Sequence, residues 1–398
     1  MGEQQALAAL HDKMDWYVDQ SFLPCVETII LKDLEVIDRH RSGYLDLDAG
    51  SPLPEDAIYR MYSNSKLVTT VAVMMLVERG LVQLDDPIAQ YLPAFANPQV
   101  LKADAQTAAD VEPAAGPILV RHALSHTAGW SYGFIEPFSL IDSTYLQNGL
   151  DVFGMNDVSL AELCDRLAEQ PLAYQPGTRW RYSLATDVCA RLVEVVSGQA
   201  FDDFLEAEIF APLKMPDTGF WVPKAKRDRF IAMYAPVDLL DPTKPGLNRA
   251  DDPQTGLYTQ HRRFKSGGGG LVSTVADTLS FMRLLANGGE WDGVRLLQPE
   301  TLVRMRQNEC AAGVGVSFPM WDMPGTTFGL GLALKSTLTP DEPATMAGEF
   351  HWGGMAGTHT WIAPEANLIG ICMTQLMPGF WHPFSHDFKD AVYALGSG

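Results

Sequence analysis

Ser63-Asn64-Ser65-Lys66 runs straight into Leu67-Val68-Thr69-Thr70-Val71-Ala72-Val73-Met74-Met75-Leu76. The pattern predicts a helix that starts near Ser63 and ends at Gly80. It is apolar almost all round, so it is expected to lie buried between layers. Positions i and i+3 share one helix face, which sets Lys66 beside the Ser63 hydroxyl. The positive end of the helix dipole lies at that serine. A serine hydroxyl is a poor nucleophile until a neighbour takes its proton. A lysine within reach can take it, or can hold a second base in its ionised form. Alone, such a tetrad arises about once by chance in a chain of this length. A capping serine with a solvated lysine reads as well on this evidence.

The flanks frame that helix. Residues 26–32 and 34–40 read as strands separated by Asp33, with Arg41-Ser42-Gly43 turning into Tyr44-Leu45-Asp46. Residues 1–20 read as an amphipathic helix with Leu7, Leu10, Met14 and Tyr17 on one face. From Gly80 to Arg262 helical segments mix with long loops rich in Pro, Asp and Gly; residues 160–170 and 185–197 are the clearest helices. Gly267-Gly268-Gly269-Gly270 marks a tight, mobile backbone. A helix over 275–287 follows, then strands over 328–334, 359–363 and 368–375. Pro364-Glu365-Ala366-Asn367 turns the last pair into a hairpin. A helix over 385–395 closes the chain. Strands at both ends and helices between them predict an α+β fold. One antiparallel sheet forms from residues 1–80 and 262–398, with a mainly helical domain of residues 81–261 inserted. The active site is expected between the two.

A second chemical element sits in Tyr174-Gln175-Pro176-Gly177-Thr178-Arg179-Trp180-Arg181-Tyr182-Ser183. A Pro-Gly turn, a short aromatic segment and the helix from Ala185 place Tyr182 on a rigid loop. A tyrosine acting as base must lose its proton about three units below its free value of about 10. One cation at 4 Å with an effective dielectric of 20 supplies the roughly 4 kcal/mol this takes. Lys66 is the candidate cation. On this reading Tyr182 is the main base and Lys66 its electrostatic support. The third element is His351-Trp352-Gly353-Gly354-Met355-Ala356-Gly357-Thr358. Glycines on an edge strand let a substrate carbonyl approach the backbone, and N–H groups there can hold an oxyanion.

Composition narrows the partners. The chain has 398 residues, is 46% hydrophobic and 20% charged, and carries a formal net charge of -20. That field repels phosphate backbones and anionic lipid, so neither nucleic acid nor a membrane is an expected partner. It favours neutral or cationic small molecules. No basic, then apolar opening marks an export signal, and no apolar run reaches membrane-spanning length. The expected location is cytoplasmic. Cys25, Cys164, Cys189, Cys310 and Cys372 are scattered, form no CxxC pair and read as buried free thiols in a reducing compartment. His122, His126, His261 and His351 show no metal-ligand spacing; His126 is expected to order its own loop. No cofactor and no metal is implied.

Taken in order, these three elements resemble the serine β-lactamase and penicillin-binding superfamily. The chain is most similar to family VIII carboxylesterases, which share the class C β-lactamase fold. Tyr59-Arg60-Met61-Tyr62, Gly80-Leu81-Val82-Gln83-Leu84-Asp85-Asp86-Pro87 and Arg121-His122-Ala123-Leu124-Ser125-His126-Thr127-Ala128-Gly129 fit as well. The resemblance implies Ser63 as nucleophile, with Lys66 and Tyr182 as proton-transfer partners. It implies the backbone N–H groups of Ser63 and Met355 as oxyanion donors. The Lys-Thr-Gly triplet of the lactamases falls on Trp352-Gly353-Gly354, taken as substrate-binding. Two departures matter. Leu184 stands where lactamases carry an asparagine two residues after the tyrosine, and Trp352 replaces the cation that meets the β-lactam carboxylate. Trp352 is expected to offer an apolar wall. The expectation is a serine carboxylesterase for small to medium neutral esters, working through an acyl-enzyme. A β-lactamase or D-amino peptidase, an amidase and an acyltransferase of the same fold are the alternatives; a catalytically dead binding domain would lack the intact trio. Loops 130–157 and 215–258 are expected to shape the acyl pocket.

Overall fold

A computed structural model describes residues 2–155, 157–241, 244–319, 321–380 and 382–395. Met1 of the predicted first helix, Asn156 and residues 242–243 of the predicted pocket loops lie outside them. The N-terminal helix α1 covers Glu3–Asp19, and buries Leu10, Met14 and Tyr17 as its apolar spacing requires. Strands β1 (Cys25–Lys32), β2 (Glu35–Asp46) and β3 (Ser51–Pro52) follow. Helix α2 (Ser65–Glu78) comes next, then α3 (Leu160–Ala168) and α4 (Ala185–Ser197) in the middle of the chain. Helix α5 (Val275–Ala286) leads to strands β4 (Thr326–Phe328), β5 (Ala333–Lys335), β6 (Phe350–Gly354), β7 (Thr358–Ala363) and β8 (Leu368–Met373). Helix α6 (Phe384–Leu395) completes the described chain.

One eight-stranded antiparallel sheet has the order β4-β5-β6-β7-β8-β1-β2-β3. Both chain ends build it, and β8 pairs with β1 from Glu27↔Met373 to Lys32↔Leu368. Strand β1 is buried along nearly its whole length because both faces of the sheet are covered. Val26 and Ile30 face a core shared with α1 and α6. Ile29 and Leu31 face the larger core, which takes in α2 and α5. Caps set the helix starts. Ser159 and Glu162 form a reciprocal capping box on α3, and Thr274 accepts from Asp277 N at 3.1 Å on α5. Gly198, at φ 72, ends α4.

Several element ends shift by one or two residues, and two boundaries differ more from the sequence expectation. Strand β2 does not stop at His40 but runs on to Asp46. Gly43 is there for packing: a Cβ on it would sit 2.6 Å from the Pro24 carbonyl oxygen and 2.7 Å from Cys25 Cα. Residues 328–334 are not one strand. Strand β4 ends at Phe328, the chain turns through 329–332 with Gly331 at φ 75, and β5 begins at Ala333. Leu330 and Leu332 are wholly or almost wholly buried, and so read as strand residues.

Candidate active site

Ser63 lies in a 3-10 turn, Tyr62–Asn64, directly ahead of α2. Tyr62 holds φ at +44, a conformation that a bulky residue adopts only when its surroundings enforce it. The surroundings are specific. Met61 N donates to Leu271 O at 2.9 Å, and Thr358 Oγ1 donates to Met61 O at 3.0 Å. Asn64 Nδ2 donates to Thr358 O at 2.9 Å and accepts at Oδ1 from Thr360 at 3.1 Å. The turn is thus bolted to β7, which presents the Ser63 side chain.

Lys66, one turn on, is 1% exposed. Its Nζ lies 3.2 Å from Ser63 Oγ and donates to Gly268 O at 2.6 Å. The ammonium also sits over the Tyr182 ring, 4.6 Å from its centroid. Tyr182 Oη donates to Ser63 Oγ at 2.6 Å. Ser63, Lys66 and Tyr182 therefore meet at one oxygen. The loop carrying Tyr182 is pinned as the Pro-Gly turn suggests: Gly177 has φ 80 and donates to Thr127 O at 2.7 Å. His126 orders that loop from beneath. Its carbonyl accepts from Arg181 N at 2.9 Å, its Nδ1 is 3.1 Å from Ser183 Oγ, and its ring lies 4.9 Å from that of Tyr182.

The electrostatics reverse the expected division of labour between Lys66 and Tyr182. Burial pulls Lys66 down to about 7, with the Asp187 charge opposing it. Burial pushes Tyr182 well above the ordinary tyrosine range, and its hydrogen bonds with Ser63 and Trp352 recover only part of the shift. The sequence argument weighed a cation against the phenol but left out the cost of burying a phenolate, and that cost is the larger. Lys66 is the group able to take a proton near neutrality, and Tyr182 is held as a phenol.

Asp187 went unnoticed in the sequence. It is fully buried on α4, and its Oδ1 accepts from Ser266 Oγ at 2.6 Å and from Gly268 N at 3.1 Å. It fixes the turn whose carbonyl holds Lys66. Gly268 has to be glycine because a Cβ would lie 2.8 Å from both Asp187 Oδ2 and Tyr132 Oη. Burial raises the Asp187 pKa, while Ser266 and Lys66 pull it back. The glycine run is thus a packed support whose Gly267, Gly268 and Gly270 are buried.

The third motif is partly relocated. Strand β6 is not an edge strand of the sheet, yet β5 pairs only with its Phe350 and His351. The Trp352-Gly353-Gly354 end is a local edge. A Cβ on Gly354 would strike Met61 O at 2.2 Å, and one on Gly353 would strike His359 Nδ1 at 2.7 Å. Gly354 lets β6 seat against the nucleophile turn, and Gly353 leaves room for the His359 side chain. Trp352 is 2% exposed and donates its indole N–H to Tyr182 Oη at 3.3 Å, so it braces the phenol. Leu184 is buried completely. Met355 lines one cavity with Ser63, where its N–H and that of Ser63 are candidate oxyanion donors.

That cavity has a volume of about 80 Å³. Tyr132, Phe134 and Phe153 wall it from the first predicted loop, whereas of the second only Leu257 and Tyr258 take part. Arg262, Phe264 and the glycine turn complete it. A larger hollow of about 250 Å³, bounded by Asp202, Glu206, Trp221 and Lys265, has none of the three reactive side chains in its wall. Among the described residues no cluster of His, Cys, Asp and Glu is arranged to hold a metal ion. No helix there is long and apolar enough to cross a membrane. All five cysteines are free, four of them buried and Cys310 partly so.

The family model described as Beta-lactamase matches residues 10–394. The chain belongs to the beta-lactamase family. Esterase EstB of Burkholderia gladioli is 31% identical, over 97% of this chain and 96% of its own. Protein Rv1367c of Mycobacterium tuberculosis is 32% identical over 90% and 88% respectively. Among solved structures, EstCE1, described as a hydrolase with promiscuous acyltransferase activity, superposes with a TM-score of 0.81 at 26% identity, covering 98% of this chain and 99% of that one. The family joins serine esterases and acyltransferases on one fold, and this chain is an enzyme of it.

Proposed function

We propose that this enzyme is a family VIII-like serine carboxylesterase for small to medium carboxylic esters, neutral around the reacting carbonyl. The observation that carries the reading is the convergence of Lys66 Nζ and Tyr182 Oη on Ser63 Oγ, at 3.2 and 2.6 Å. Neutral Lys66 takes the Ser63 proton as Oγ attacks the ester carbonyl. The N–H groups of Ser63 and Met355 receive the oxyanion. The tetrahedral intermediate collapses, Tyr182 gives its proton to the departing alkoxide, and the proton on Lys66 restores the phenol. The net transfer is from Ser63 to the alcohol. In deacylation water loses its proton to the same relay, and Ser63 regains its own. The reacting ester lies between residues 1–80 with 262–398 and the mainly helical residues 81–261.

Ser63 is tested first. Ser63→Ala abolishes hydrolysis of p-nitrophenyl acetate and butyrate, and a fluorophosphonate labels Ser63 and no other serine by mass spectrometry. Without a lysine in the third motif, nitrocefin and a D-Ala-D-Ala peptide are turned over with much lower kcat/KM than the esters. A higher kcat/KM for nitrocefin replaces this reading with a β-lactamase. Acyl transfer is the second reading, supported by the description of EstCE1; added alcohol then raises ester product at the expense of acid.

A further inference from the structure

The wall of the Ser63 cavity is largely aromatic and apolar, and it carries one cation. Tyr62, Tyr132, Phe134, Phe153, Tyr258 and Phe264 supply rings, and Arg262 supplies a guanidinium. Arg262 is half-buried, and its Nε is shut off from solvent and, among the described residues, has no hydrogen-bond partner. Among the described residues no carboxylate lies within ion-pair distance of it. The nearby acid Asp251 is held by Arg60, with Nη2 to Oδ2 at 2.7 Å. The neighbouring cations are engaged: Arg263 with Glu162 at 3.0 Å and Lys265 with Asp202 at 3.0 Å. Arg262 instead stacks on Tyr258, its Cζ 5.1 Å from the ring centroid. That ring in turn packs edge-on against Tyr62, the residue ahead of the nucleophile, at 5.9 Å, and its hydroxyl donates to Gly269 O at 2.8 Å. Tyr258 therefore braces both the nucleophile turn and the cation.

We infer that Arg262 is a specificity-determining residue that receives an anionic group, a carboxylate, on the part of the ester remote from the reacting carbonyl. The inference rests on the esterase reading and narrows its substrate class to half-esters of dicarboxylic acids and related ester acids. A guanidinium left with a buried, unfilled N–H in a chain of formal charge -20 is a site that a ligand oxygen completes. The overall negative field does not forbid it. At an ionic strength of 0.15 M charges are screened beyond about 8 Å, whereas a partly desolvated pair in contact is screened far less. The local cation outweighs the distant surface. The position is unlike that of the lactamase cation, because Trp352 occupies that place.

The test uses the full chain and matched methyl esters. Monomethyl esters of the straight diacids from glutarate to suberate are each paired with the corresponding ω-primary amide, which has the same shape without the charge. Methanol release gives kcat/KM for both. The best half-ester is expected to exceed its amide by about ten- to a hundredfold, the range of a charge-assisted hydrogen bond. Arg262→Gln brings that ratio to about one, Arg262→Lys keeps a part of it, and Arg262→Glu takes it below one. Because ratios within each variant are compared, a loss of folded protein does not imitate the result. A wild-type ratio at or below one across the series, or a ratio that survives Arg262→Gln, overturns the inference and leaves the esterase reading standing. Failure of half-esters and amides alike, with p-nitrophenyl esters also inert, overturns the esterase reading itself.

Discussion

Two buried cations lie within a few residues of the nucleophile and of Tyr182, and their surroundings differ completely. Arg181 precedes Tyr182 and is filled on every side. Its Nε donates to Ser131 Oγ at 2.7 Å, Nη1 to Glu136 at 2.8 Å and Nη2 to Asp142 at 2.9 Å. Burial alone would lower its pKa, but Asp142 and Glu136 outweigh that and raise it. Lys66 has a hydroxyl, a carbonyl and two ring faces for company. Among the described residues no carboxylate touches it, and burial brings it to about 7. A buried cation with matched acids is a structural pin. A buried cation deprived of them is a proton carrier at neutral pH. Arg181, on the Tyr182 loop, is thus a fixed charge, whereas that of Lys66, on α2, can come and go.

The largest effect expected from this contrast concerns Lys66. Lys66→Arg keeps a cation but cannot release its proton near neutrality; Lys66→Met removes the charge and the base together. Both lose about 10²- to 10⁴-fold in kcat/KM for p-nitrophenyl butyrate. In the wild type the base form of Lys66 is populated above about 7, so kcat/KM rises with pH through that value. Tyr182 stays protonated beyond it. A profile that falls between pH 6 and 8, or a Lys66→Arg enzyme of ordinary activity, returns the role of base to Tyr182.

Arg181 breaks in a different manner. Asp142 is completely buried, and also accepts from Glu136 N at 2.7 Å and from Ser131 Oγ. Asp142→Asn leaves the guanidinium short of charge in a buried place, which costs about 3–5 kcal/mol of stability. Urea unfolding is expected to show that loss, while the folded fraction keeps the ascending pH limb near its wild-type position. An unchanged midpoint with a displaced limb would place Arg181 in the proton chemistry instead.

How far the sequence carries can be seen in the same residues. That Ser63, Lys66 and Tyr182 come together was legible from local spacing: one helical turn separates the first two, and a Pro-Gly turn precedes the third. The sheet built from both ends was legible from strand periodicity at each end. Asp187 was not, since it looks like any acid in the first turn of α4 until Ser266, 79 residues away, meets it. Arg262 was hidden for the same reason, and next to Arg263 it reads as surface charge. Gly331 escaped notice because the flanking Leu330 and Leu332 keep the alternation of a strand going through the turn. The protonation of Tyr182 was misread because depth of burial is a tertiary property, and desolvation there exceeds the pull of one cation.

Asp187 gives the smallest and most discriminating effect. It opposes burial at Lys66 without touching it, so its charge holds the lysine pKa up. Asp187→Asn preserves an acceptor for Ser266 and Gly268 and removes the charge. Lys66 then falls further, and the ascending limb of kcat/KM moves to lower pH. A displacement of about one unit corresponds to about 1.4 kcal/mol of coupling. The limb belongs to the Lys66–Asp187 pair, because each charge shifts the other. Activity on the plateau above pH 8 is expected to change little, since Lys66 is already neutral there in both enzymes. A purely structural Asp187 would lower the plateau and leave the limb in place. A limb that moves to higher pH would mean that the variant admits water to Lys66, and that burial, with no contribution from Asp187, sets its pKa.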